Sequence, residues 1–364
     1  MRRTRFRKLF VVLVAITLLI GWGTGISAAA AEKKVIKLKI GSGHPTATAW
    51  VRYLSDFYCK EIVKRVNEKT DYKLELAEHW SGAVAKLGEE LESVEIGILD
   101  MAMVIAAFEP TKLLLHNWGF NIPFYTGDPV KSMKVSRRIY QEFPALKNEF
   151  KKYNQIWLGA GGHDDYNLLT NFPVKKAEDL KGRKIAAAGP NLPWISGTGA
   201  IPVQSNLNEA FTSLQTGVYE GWVMFPSSIV SFKLYEVSKH YQEVNFASVT
   251  MAVHLTINQK VWDKLPKEVQ KILQETADEY VVKEAEYLAD LTKQAMKTLE
   301  ANGVKYYKLP QDEKVKWAKM IINQPKKWAK EADAKGYPGT AIMNAAMKYA
   351  EEEGHVFPRR WMAE

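Results

Sequence analysis

The sequence predicts an α/β fold of two lobes, each built on a mainly parallel sheet, with one long helix spanning both. Three observations predict it. Short apolar runs alternate with helical patterns from Val35 onward and again between Asp179 and Ser227, the rhythm of parallel-sheet lobes. Lys267 to Ala301 keeps a single apolar face over roughly 35 residues, or about 52 Å at the α-helical rise. That exceeds the width of one ordinary lobe. The length of 364 residues allows two or three domains, and 46% hydrophobic with 25% charged residues is ordinary globular composition.

Residues 1–31 read as a cleaved signal peptide. Arg2, Arg3, Arg5, Arg7 and Lys8 form a basic head, Leu9 to Ile20 an apolar core, and Ser27 to Ala31 a small-residue cleavage region. The apolar core of about a dozen residues is too short for a membrane span. Loss of these five positive charges lowers the formal charge from +9 to +4, so most of the basicity belongs to targeting. The remaining lysines are scattered among glutamates along helices, which a solvated surface explains better than a nucleic-acid groove. One cysteine, Cys59, cannot form an intramolecular disulfide and falls in an apolar helical pattern, where a core thiol is expected.

In chain order, Val35–Ile40 alternates apolar with lysine as a first strand and runs into the small-residue loop Gly41-Ser-Gly-His44. Trp50, Leu54, Phe57, Tyr58 and Ile62 mark a helix, Tyr72–Ala77 a second strand, and Lys86–Glu95 a second helix. Ile98–Ala107 is a nearly continuous apolar run, expected as a central strand. The loop Trp118-Gly-Phe-Asn-Ile-Pro-Phe124 brings three aromatics and Asn121 together. Helices follow at 128–142 and 145–152, then a strand at Gln155–Ala160 and a paired-glycine crossover, Gly161-Gly162-His163-Asp164-Asp165-Tyr166. The second lobe carries strands at Lys184–Ala187, Pro202–Val203 and Val218–Val223 and a helix at Ser228–Ser238. The chain returns through a strand near Thr250–Asn258 and continues through the long helix, a strand at Val304–Leu309 and two final helices. The expected division is 32–160 plus 246–285 for lobe I and 161–245 plus 286–364 for lobe II.

No phosphate loop, nucleophile elbow, zinc spacing or complete dinucleotide fingerprint occurs, and no cofactor or metal is called for. His163, Asp164 and Asp165 form the one compact cluster of possible proton carriers, but adjacent residues of an extended chain cannot all face one site. Binding uses more of the chain. Open α/β sheets bind ligands beyond the carboxyl ends of their strands. Here those ends carry His44, Ile105, Tyr166, Trp194, Trp222, Met224 and Phe225. Trp50, Phe120, Asn121, His163, Asp165, Ala186 and Leu207 complete the set of candidate ligand-binding residues. The alternatives are a secreted enzyme using His163 and Asp165, and a receptor for another class of importer.

Several stretches occur together in a familiar order: Gly97-Ile-Leu-Asp100, Ile122-Pro-Phe124, Asp179-Leu-Lys-Gly-Arg-Lys184, Leu214-Gln-Thr-Gly217, Glu220-Gly221, Glu236-Val237 and Trp262-Asp-Lys-Leu-Pro266. On these the chain resembles the solute-binding subunit of tripartite ATP-independent periplasmic (TRAP) transporters, dicarboxylate-receptor type. The resemblance implies a periplasmic-binding-protein-like fold whose hinged lobes close on a small organic solute. It also implies periplasmic delivery of that solute to membrane permease subunits. The family's carboxylate-binding arginine falls at Ala186, and three neighbouring positions depart as well, at Tyr166, Met224 and Ile105. A carboxylate enclosed without a counter-charge costs several kcal/mol. The expected solute is therefore neutral, aromatic, amine-bearing or an acid anchored in another way, with His44, Arg52, Asp164 and Asp165 as candidate charged contacts.

Overall fold

The computed structural model describes residues 33–364, so the signal-peptide reading of 1–31 lies outside the described residues. Two sheets organise the chain. The strands are β1 (Lys34–Gly41), β2 (Tyr72–His79), β3 (Met101–Ile105), β4 (Gln155–Gly161), β5 (Asp165–Thr170), β6 (Lys184–Ala187), β7 (Ile201–Gln204), β8 (Gly221–Met224), β9 (His240–Ser248), β10 (Val253–Asn258) and β11 (Lys305–Lys308). The first sheet has the order β2-β1-β3-β10-β4 and the second β11-β9-β5-β8-β6-β7.

Each sheet contains a strand that runs against both of its neighbours. In the first, β1 and β3 are parallel, whereas β10 is antiparallel to β3 and β4. In the second, β6 is parallel to β7 and β8 and β11 to β9, whereas β5 opposes β8 and β9. These reversed strands, β5 and β10, are the ones that enter one sheet directly from the other. The chain crosses at residues 162–164 and returns at 249–252. The two crossovers are bonded to each other: His163 N–H donates to Val249 O at 3.1 Å, and Ala252 N–H to Gly161 O at 3.0 Å. Gly162 permits that approach, because a Cβ there would lie 2.3 Å from Val249 O and 2.4 Å from Thr250 Cα.

The helices are α1 (Ala49–Tyr53), α2 (Lys60–Lys69), α3 (Glu90–Glu95), α4 (Pro129–Glu142), α5 (Pro144–Lys151), α6 (Ala210–Gln215), α7 (Pro226–Ser231), α8 (Gln259–Lys264), α9 (Lys267–Ala301), α10 (Gln311–Met320), α11 (Gln324–Ala334) and α12 (Gly339–Glu352). A π-helical segment, Leu54–Cys59, makes α1 and α2 one continuous rod. Asp128 caps α4 by accepting from Val130 and Lys131 N–H, with Pro129 in the first turn where its missing N–H costs nothing. The long helix α9 packs on β4 of the first sheet, on α2 and α4, and on α7, the helix that follows β8 of the second sheet. None of the described helices is long and apolar enough to cross a membrane.

Several elements differ from expectation. The central strand is shorter, because Ala106–Phe108 turn into a 3-10 helix. Strands β5 and β9 had not been expected. Three helices end the chain rather than two, since Ile321–Asn323 breaks the run before Pro325. Cys59 is buried, and burial raises its thiol pKa well above normal, which leaves it inert.

Candidate functional site

A cavity lies where the carboxyl ends of strands from both sheets meet, except that Tyr166, expected at such an end, comes from the amino end of β5. After β1 the loop supplies His44, the end of β3 supplies Ile105 with Ala107 and Phe108 beyond it, and after β4 comes His163. From the second sheet come Tyr166 on β5, Ala188 after β6, Ser205, Asn206 and Leu207 after β7, Trp222 to Met224 on β8 and Phe225 beyond it; Trp50 projects from α1. The unoccupied space amounts to about 450 Å³ with the mouth included, and about 40 Å³ of it admits the centre of a water. The site is narrow.

Aromatic rings build its floor. The Trp50 indole is flanked edge-on by His44 at 5.2 Å and His163 at 4.7 Å between centroids. His163 stacks on Phe225 at 4.9 Å with planes 4° apart, and Tyr166 meets Phe225 edge-on at 5.0 Å. The loop before Trp50 is held from outside: the Glu90 carboxylate accepts from Gly43 N–H at 2.8 Å and Gly88 N–H at 2.7 Å. A Cβ on Gly43 would sit 2.4 Å from Leu87 N, so this residue lets the His44 loop close against the backbone that leads into α3.

Among the described residues, no lysine, arginine, aspartate or glutamate lines the cavity. Burial lowers His44 to about 4 and His163 to about 3, so both imidazoles are neutral at physiological pH. Four buried polar atoms of the lining have no hydrogen-bond partner: His44 Nδ1, Trp50 Nε1, His163 Nδ1 and Trp222 Nε1. The two indole nitrogens can only donate. A buried unpartnered donor costs roughly 1–3 kcal/mol, so these atoms are sites for an incoming acceptor.

The acids of the crossover are engaged elsewhere. Asp164 accepts from Ser227 N–H at 2.9 Å and Ser227 Oγ at 2.5 Å, and from Thr292 Oγ1 of α9 at 3.2 Å. Asp165 Oδ2 accepts from Asn167 Nδ2 at 2.9 Å and Asn245 Nδ2 at 2.7 Å. Burial raises Asp164 to about 6 and Asp165 to about 7. Arg52 donates to the carbonyls of Thr46 and Ala47 and is absent from the lining. Among the described residues there is no group of three or more histidines, cysteines or acids arranged to hold a metal.

A sequence profile for bacterial extracellular solute-binding protein family 7 matches residues 54–331. The chain belongs to this family. It is the TRAP solute-receptor family, whose members are receptors rather than enzymes. The chain is 26% identical to the C4-dicarboxylate-binding periplasmic protein of Rhodobacter capsulatus over 241 residues, 64% of this chain and 70% of that one. Its fold matches a TRAP periplasmic solute-binding protein of Desulfovibrio salexigens with a TM-score of 0.76 at 21% identity, covering 87% of this chain and 96% of that one. It also matches a marine-metagenome TRAP protein described as specific for pyroglutamate, with a TM-score of 0.72 at 22% identity and coverage of 86% and 99%.

In this family-7 receptor the structure gathers nine of the fourteen candidate residues at the cavity: His44, Trp50, Ile105, His163, Tyr166, Leu207, Trp222, Met224 and Phe225. The other five stand behind or beside it. Phe120 lies 6.2 Å from the His163 ring, and its carbonyl accepts from Trp194 Nε1 at 3.0 Å, so these two back the lining. Asn121 is held by Gln324 Nε2 at 3.1 Å and borders a separate, more open outer hollow of about 1120 Å³ with its mouth included. Asp165 sits in the crossover network just described. Ala186 is fully buried on β6 in register with Trp222, so its small side chain leaves room for that indole. The lining residue on its strand face is Ala188. Sequence reasoning missed Val223 on β8 and five residues beyond strand ends, Ala107, Phe108, Ala188, Ser205 and Asn206. The one signal of those five was position immediately after a strand's carboxyl end.

Proposed function

We propose that the protein is an extracytoplasmic, non-enzymatic receptor that encloses one small organic solute between its sheets. It delivers the solute to the permease subunits of a TRAP-type transporter. The observation that carries this reading is the charge-free aromatic cavity formed jointly by both sheets, two of whose lining side chains, Trp50 and Trp222, have unpartnered donor nitrogens. Membership of family 7 supports the receptor class, and relatives named as periplasmic support the compartment.

The crossovers at 162–164 and 249–252 serve as the hinge, a few residues from the boundaries expected at 160/161 and 245/246. Met251 in the return crossover has φ 64°, a left-handed conformation rare outside glycine, and such residues mark segments that work under strain. A nucleophile–base pair is missing from the lining: His163 is stacked on Phe225, and Asp165 is committed to two asparagines. That weighs against the enzyme alternative.

The R. capsulatus relative is named for C4-dicarboxylates, and the metagenomic protein for pyroglutamate. A doubly charged solute fits this lining poorly, since no fixed cation faces the space. The experiment is a thermal-shift screen of acids, amines and aromatic solutes, followed by titration of tryptophan fluorescence. A bound solute quenches the indoles of Trp50 and Trp222 and is recovered unchanged.

A further inference from the structure

We propose that the cavity takes a small monocarboxylic acid as its anion together with one proton from solution, which His44 and His163 accept between them. This rests on the receptor reading above and names the solute class of the same site.

The donors come first. Trp50 Nε1 and Trp222 Nε1 are buried, can only donate and have no partner. Their natural complement is an oxygen with several lone pairs, and a carboxylate takes such bonds more strongly than a neutral carbonyl does. The remaining inner surface, with Ile105, Leu207, Met224 and Phe225, is apolar, and the space is small. One carboxylate on an aromatic or short aliphatic body fits; two carboxylates do not.

Charge comes next. An anion enclosed here meets no lysine or arginine. Imidazole is the one lining side chain that gains a positive charge near neutral pH. Both imidazoles flank the same indole, at 5.2 and 4.7 Å from Trp50, and the Nδ1 of each lacks a partner. The nearby His44 lowers His163 further, so a second proton is disfavoured once one imidazole is charged. The neighbouring acids are occupied. Behind His44, Glu90 holds the N–H groups of Gly43 and Gly88, with Glu109 and its partner Lys112 beyond it. Behind His163, Asp164 holds Ser227 and Thr292, and Glu284 accepts from Gly162 N–H at 3.1 Å. The Tyr166 hydroxyl, its pKa raised by burial, stays protonated.

The test uses protein purified from the expressed full-length chain, with benzoate, pyroglutamate and lactate as acid probes and benzamide as the uncharged control. Affinity for at least one acid should weaken about tenfold per pH unit as pH rises from the free-state toward the bound-state histidine value and level off above it, the signature of one linked proton. Calorimetry in buffers of different ionisation enthalpy should report uptake of one proton per acid bound. His44→Gln and His163→Gln should each flatten the pH slope, with thermal melts confirming that at least one variant is folded. Acid binding without proton uptake overturns the proposal, as does benzamide binding equal to benzoate at every pH, or no acid shifting the melting temperature. Mass spectrometry of solute released from the purified protein separates the two readings. An uncharged co-purified solute overturns the linked acid and keeps the receptor; no bound solute from any source overturns both.

Discussion

The imidazole of His163 lies flat on the ring of Phe225, 4.9 Å between centroids and 4° from parallel. One residue belongs to the crossover leaving the first sheet and the other to the end of β8 in the second. The stack therefore joins hinge to cavity wall. Replacing Phe225 with leucine removes the stack and keeps apolar bulk. The expected loss is about 0.5–1.5 kcal/mol of stability, read by denaturant unfolding, with weaker solute binding. Unchanged binding would show that the stack is structural only.

Trp222→Phe separates the ring from its nitrogen. The unliganded protein should be as stable as the parent or more so, because a buried donor without a partner is removed. Solute affinity should fall about two- to tenfold, the value of one hydrogen bond. Thermal melts with and without solute make the comparison. A parallel loss of stability and affinity would place the nitrogen in the fold rather than the site.

Ala186→Arg tests the space beside Trp222. Ala186 is fully buried, and its strand neighbour in register is that tryptophan. The arginine alone should cost about 3 kcal/mol or more from overpacking and a buried charge. Combining it with Trp222→Ala should recover part of that loss and create affinity for succinate. Calorimetry on the double variant decides, and failure to bind succinate would mean that a cation at this position does not reach the cavity.

The acids around the crossovers predict a stability–pH dependence. Burial raises Glu284 to about 8, Asp165 to about 7 and Asp164 to about 6. The folded state therefore binds more protons than the unfolded state between those values and the ordinary carboxylate range, and stability falls as pH rises. Neutral buried histidines such as His44 and His163 act oppositely, but only below about 6.5. From about pH 6.5 to 8.5 the acids dominate, so the melting temperature should decline. Glu284→Gln should shallow that decline, because it keeps an acceptor for Gly162 N–H and removes the charge.

The layered pattern of the fold was legible because strand and helix periods differ, and the long helix α9 kept the bounds read from its apolar face. Strands β5 and β9 were hidden by their composition. All six residues of β5, Asp165 to Thr170, are buried, yet Asp165 and Asn167 read as loop residues because their partners Asn245 and Ser248 lie far along the chain. Gln242 of β9 is likewise buried against Thr170. The site was legible at His44 and Phe225, aromatics that follow a strand end, although Phe108 beyond β3 was missed. It was opaque where backbone proximity placed a small residue there, as at Ala188 and Ser205.

Gly162→Ala probes the contact between the crossovers. The added methyl would collide with Val249 O and Thr250 Cα, both backbone atoms that cannot rotate away. The expected cost is about 2–4 kcal/mol in unfolding experiments. A neutral result would show that the crossovers part more easily than their hydrogen bonds suggest.

The receptor assignment is tested most directly by mass spectrometry of the protein incubated with a solute that shifts its melting temperature. The account predicts one solute per chain, released chemically unchanged after prolonged incubation, with binding reduced in Trp222→Phe. Recovery of a converted product, or binding indifferent to both Trp50 and Trp222, would contradict it.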